Sequence, residues 1–115
     1  MSQFFISVNH TDDAGLPDGV ALEDLHAAVM AFNQKMLDEQ RVVFIGALEQ
    51  PATAAQVVDA SGAEPVISSG TASGAPIQLG GFWILEAKSR EEALDLGAQA
   101  SAACHQPVEV RQMQS

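Results

Sequence analysis

Leu79-Gly80-Gly81-Phe82-Trp83-Ile84-Leu85-Glu86-Ala87 is the stretch on which the fold turns. Two glycines open a run of bulky apolar residues, which is the composition of a strand. A strand apolar on both faces is usually covered on both. Ser89 follows after one residue and can cap a helix, with Glu92 three positions on as its capping-box partner. That helix is alanine-rich and ends near Cys104, with Ala93, Leu96, Ala100 and Cys104 on its inner face. Residues 107–112, containing Val108-Glu109-Val110-Arg111, then read as a closing strand. The C-terminal part is therefore a strand–helix–strand unit.

Upstream, the pattern repeats. Residues 3–9 read as a strand, and residues 10–20, with their Asp, Gly and Pro, as a loop. Leu22, Leu25, Val29, Phe32 and Met36 recur at spacings of three and four, which places a helix over 21–39. Arg41 to Leu48 reads as a strand that Pro51 ends. Residues 54–60 and 63–68 flank Ser61-Gly62 and can pair as a hairpin, although the alanine-rich Thr53 to Val57 also suits a helix. Ile67 to Pro76 is rich in Ser, Gly and Thr and reads as a flexible loop, a candidate lid. Two βαβ-like halves in one sheet give an α+β class, a ferredoxin-like sandwich formed by one domain over 1–115. The helices cover one sheet face. The other needs cover too, because Trp83 or its neighbours would otherwise be exposed, so a homodimer packed sheet to sheet is expected.

Composition narrows the partners. Of 115 residues, 47% are hydrophobic, which excludes a disordered chain. The net charge of −10 repels phosphate, so neither nucleic acid nor an anionic membrane is expected as a partner. No apolar run approaches the ~20 residues of a membrane span. The N-terminal Phe4-Phe5-Ile6 is too short for a signal segment, and the single cysteine forms no intrachain disulfide. A cytoplasmic location is the expectation.

The chain resembles the YCII-related family, and within it the branch named for an Asp-Gly-Pro-Phe motif. The resemblance rests on Gly46-Ala47-Leu48, on Leu79 to Ala87, on Glu92-Ala93-Leu94 and on Val108-Glu109-Val110-Arg111. It implies a ferredoxin-like protomer in a dimeric α/β barrel, with a pocket between sheet and helices near the dimer contact. Counted back from Gly80, the motif falls on Ser69-Gly70-Thr71-Ala72, so serine stands where the family has its aspartate. Other branches use a His–Asp pair with the histidine in the first helix. His26 lies in that helix about one turn early, and the role is not transferred to it on the resemblance.

Six further residues are candidates beside Ser69. His26, Met30 and Asn33 form a row on the first helix that can line a pocket, with His26 as a base. Glu86 shares a strand face with Phe82 and Ile84 and is a candidate proton carrier; a salt bridge from Arg111 to Glu86 or Glu109 is the structural alternative. His10, before Thr11-Asp12-Asp13, can contact a ligand, and Trp83 can stack on one. No second His or Cys stands at metal-ligand spacing from His10, and no cofactor motif is present, so neither metal nor cofactor is expected. Cys104 reads as a small buried apolar group and His105 as structural. Two functions follow. In one, His26 and Glu86 are catalytic, with His10, Met30, Asn33, Ser69 and Trp83 binding a small molecule for lyase- or isomerase-type proton transfer. In the other, the chain is a non-catalytic dimeric regulatory or interaction module.

Overall fold

The computed structural model describes residues 1–11, 18–50 and 54–114. Its elements are β1 (Ser2–Thr11), α1 (Leu22–Asp38), β2 (Val42–Ala47), β3 (Gln56–Asp59), β4 (Val66–Ser69), β5 (Ile77–Ala87), α2 (Arg90–Cys104) and β6 (Val108–Gln112). Four strands form one sheet in the order β2-β5-β1-β6, every neighbouring pair antiparallel. With the two helices this is the ferredoxin-like α+β arrangement, interrupted by β3 and β4, which pair only with each other. Pro51, Asp12 and Asp13, which entered the sequence reading, lie outside the described residues.

Strand periodicity divides the sheet into two chemically different faces. Phe4, Ile6, Trp83, Leu85 and Ala87 point to the helices and are almost fully buried with Phe32 and Met36 of α1 and Ala93, Leu96 and Ala100 of α2. Phe32 meets the Trp83 ring edge-on, with centroids 5.4 Å apart. Trp83 is thus covered within the chain, and it is Phe82 and Ile84 that face the other way. There Phe82 stacks between Phe5 and Phe44 at 5.3 and 5.8 Å. Gly46 makes room for this stack, since a Cβ there would lie 2.8 Å from the Phe82 ring. No helix of the described residues covers that face, and Phe44 remains 55% exposed. Arg111 and Glu109 face each other at 3.9 Å on the same side, both mostly exposed.

Local chemistry explains the element ends. At the end of α1, Gln40 is left-handed and the N–H groups of Gln40 and Arg41 bond to Leu37 and Met36 carbonyls, a Schellman turn. Ser89 Oγ accepts the Glu92 N–H at 3.2 Å, as expected of a cap. The Glu92 carboxylate reaches back one residue beyond the cap, to the Lys88 N–H at 3.0 Å. α2 sits close to the sheet because Gly97 has no side chain: a Cβ would lie 2.7 Å from Val110 Cγ2. The sequence reading ends β1 at Asn9 and starts β5 at Gly81, but pairing continues through His10 with Gln78 and Thr11 with Ile77. It places Ile67 and Ser68 in both the hairpin and the following loop, and Ser69 in the loop alone; all three belong to β4, against Val58, Val57 and Gln56. Val57 is therefore in a strand, not a helix. No helix among the described residues is long and apolar enough to cross a membrane.

Arg41 ties the start of β2 to the start of α2. Its Nη1 donates to Glu92 Oε1 at 2.6 Å and to the Glu86 carbonyl at 3.1 Å, and its Nε donates to Glu39 at 2.6 Å. The Arg41 hydrogen bond, then the Lys88 N–H, hold the Glu92 carboxyl below the usual carboxylate range. A carboxyl with a lowered folded-state pKa stabilises the fold at neutral pH, and that contribution is lost as pH falls through the lowered value. Glu92→Gln is therefore expected to be less stable than wild type at neutral pH and to lose less on acidification. Urea midpoints measured from neutral pH to about pH 3 check this; parallel curves for the two proteins would refute it.

Candidate functional site

A bulge shapes one end of the sheet on its helix side. The β1–β5 register shifts between Val8, opposite Gly81, and Asn9, opposite Leu79, so Gly80 is the extra residue on β5. The His10 ring lies directly against Gly80, in space that any side chain at position 80 would fill. Gly81 is also closely approached, because its Cβ would stand 3.3 Å from the Gly46 carbonyl oxygen. The two glycines that open the strand in sequence thus have a second use: one seats a histidine and the other admits β2.

Beside this seat is a cavity of about 350 Å³, between α1, the sheet and the end of α2. Its apolar walls include Val8, Val29 and Ile45, and its polar groups are His10, Asn33, Trp83 and Cys104. No Asp, Glu, Lys or Arg lines it among the described residues. Predominantly apolar walls with a few placed polar atoms are the usual make-up of a small-molecule site.

The polar atoms have defined roles. His10 Nδ1 lies 2.9 Å from the Thr11 carbonyl oxygen. A carbonyl only accepts, so Nδ1 carries the proton in this bond, and in the neutral ring Nε2 is the free acceptor. Trp83 Nε1 donates to Asn33 Oδ1 at 2.7 Å. That bond fixes the amide, leaving Asn33 Nδ2 as a donor group. The Cys104 thiol lies 3.8 Å from the Gln106 carbonyl and 3.9 Å from that of Ser101. Burial pushes its pKa up, so it is a protonated, weakly nucleophilic wall of the cavity.

Of the residues singled out in sequence, His10, Asn33 and Trp83 meet at this cavity. His26 and Met30 do not join them and are exposed. The first turn of α1 is poorly covered among the described residues, and even Leu22, on the apolar stripe, is 67% exposed. Glu86 faces the side of the sheet away from α1, opposite Gln3. Ser69 ends β4 on the hairpin and is exposed. The described residues contain no group of three His, Cys, Asp or Glu side chains able to hold a metal ion. A second, more open depression of about 570 Å³ lies at the base of the hairpin, between Leu48, Val57, Thr71 and Leu79. Sequence reasoning missed the bulge; it placed Cys104 on the inner face of the second helix without foreseeing that the thiol lines the cavity. The paired glycines opposite a histidine-ended strand were the available signal for the bulge.

Asn33→Ala leaves the buried Trp83 N–H without its acceptor and opens the cavity wall. A loss of about 1–3 kcal/mol in unfolding free energy is expected, with an unchanged fold. Urea denaturation together with tryptophan fluorescence measures it, and an unaltered midpoint would show that the bond is dispensable.

The family model described as the YCII-related domain matches residues 4–114. No curated protein matches the chain.

Proposed function

Since the chain belongs to the YCII-related domain family, we propose that it binds a small organic molecule in the cavity between α1 and the sheet and moves a proton there, as in a lyase or isomerase step. The observation that carries this reading is the orientation of His10. Its Nδ1 proton is held by the Thr11 carbonyl, and Nε2 is left as the one basic nitrogen of a largely apolar cavity that no charged side chain lines among the described residues. Asn33 Nδ2 supplies a donor suited to a carbonyl or developing oxyanion, with Trp83 holding the amide in place. The ligand is accordingly small and largely apolar, with one hydrogen-bond donor for His10 and one acceptor for Asn33. The acidic surface disfavours anionic ligands. His26, the base expected from sequence, is exposed and has no part in this arrangement.

One observation favours the alternative of a non-catalytic binding module. No carboxylate lines the cavity among the described residues, so His10 has no acidic partner there. Three variants test the site and separate the two readings. Thermal-shift screening of neutral carbonyl and hydroxyl compounds is expected to find ligands that raise the melting temperature. His10→Ala is expected to abolish that shift, while His26→Ala leaves it intact. Deuterium exchange at the ligand's acidic C–H position, lost in His10→Gln while binding persists, marks the enzyme. A flat screen, or equal loss in the His10 and His26 variants, overturns the site.

The protein is further proposed to be a homodimer that covers the open sheet face. The Phe5–Phe82–Phe44 stack supports this, being a contiguous apolar surface that no helix of the described residues covers. Sedimentation at micromolar concentration is expected to give twice the 12.1 kDa chain mass; a species of the single-chain mass overturns it.

A further inference from the structure

The β3–β4 hairpin is poorly accounted for within one chain. A domain of this length has a radius of gyration of about 13 Å when compact, whereas here it is 16.1 Å. Neither hairpin strand packs substantially against any helix or strand of the four-stranded sheet. An isolated two-stranded hairpin is marginal in water. Yet this one is built from β-formers: Val57 and Val58 pair with Ser68 and Ile67, and Asp59 with Val66. Its base is closed by the Gly70 N–H on the Ala55 carbonyl at 2.9 Å.

The two faces of the hairpin differ. Gln56, Val58, Ile67 and Ser69 lie on one face, which carries no charge. Val58 and Ile67 form its cross-strand pair and are 64% and 66% exposed. The Asp59 carboxylate is on the other face, bonded to Ser61. On a chain of net charge −10, an uncharged apolar face is the part that can meet an identical chain without repulsion.

We propose that the β3–β4 hairpin is an intersubunit arm whose Val58–Ile67 face lies on the second copy of the chain. This rests on the homodimer reading and extends it, because area makes the sheet face insufficient. The four strands hold 10, 6, 11 and 5 residues; at about 4.8 Å by 3.4 Å per residue they give roughly 500 Å² of plane. A standard interface takes about 800 Å² from each partner. The arm supplies additional apolar surface, and in a two-fold dimer each copy both gives and receives it. Docking also provides the third layer that a lone hairpin lacks.

The test is a dimer dissociation constant, measured by sedimentation equilibrium on the full chain. Val58→Thr combined with Ile67→Thr keeps β-propensity and alters only side chains exposed in the single chain. The double variant is expected to dimerise at least about tenfold more weakly, since two apolar side chains leave the interface. Its far-UV spectrum should match wild type, as should the reactivity of the Cys104 thiol. A dissociation constant equal to that of wild type overturns the arm and leaves the sheet-face dimer standing. A wild-type protein that is monomeric at micromolar concentration overturns both.

Discussion

The antiparallel ladder between β1 and β5 sets the rest of the molecule. It runs from Ser2 opposite Ala87 to Thr11 opposite Ile77, and it forms the centre of the sheet. Because side chains alternate along both strands, the register decides every face at once. Phe4, Ile6, Trp83 and Leu85 are committed to the helices, and Phe5, Phe82 and Ile84 to the open side. A slip by one residue would exchange the two sets and bring the open-face aromatics under α1 and α2. The bulge at Gly80 is the single break in this ladder, and the His10 side chain occupies it. The constraint that builds the core therefore also locates the histidine.

Much of this was legible in the chain. The stripe Val29, Phe32 and Met36 gave α1 its inner face, and Ser89 marked the start of α2, because both signals act within one or two helical turns. The centre of β5 is instructive in the opposite sense: Phe82 and Trp83 are adjacent, both aromatic, and assigned to opposite faces by register alone. Sequence alternation said that they diverge and not which of them the helices would take. His26 failed to reach the cavity for a related reason. Its angular position on α1 is compatible with Asn33, but it lies nearly two turns nearer the helix start, where most α1 side chains are exposed. Periodicity reports direction around a helix and is silent about how far along the helix the supporting sheet extends.

Glycine carries an unusual share of the specificity. Gly46 admits the Phe82 ring, Gly80 seats His10, Gly81 admits β2, and Gly97 brings α2 onto Val110. Each is a place where absence of a Cβ lets another group approach closely, and none of the four has the left-handed backbone that would make it recognisable as a turn residue. These close approaches reach between elements distant in sequence, so composition shows the glycines without showing what they accommodate. The Ser69-to-Gly74 region behaves differently. Gly70 and Gly74 do have positive φ and end or bend the chain locally, as their Ser- and Thr-rich context suggests.

Charge and burial together explain why the cavity is neutral on so acidic a protein. Among the described residues, the Glu92 carboxylate is held by Arg41 and the Lys88 N–H, and the remaining acids lie at helix starts, strand ends or solvent-facing positions. An unpaired carboxylate beside His10 would have to be desolvated against Val8, Val29 and Ile45, a cost of several kcal/mol in an apolar setting unless another group paired it. Asn33 provides hydrogen bonding at that point without charge, and the Trp83 N–H is satisfied by it in turn. The described residues thus keep carboxylates out of the cavity and build its polarity from neutral groups. That arrangement favours a cavity whose contents are recognised by directed hydrogen bonds rather than by charge.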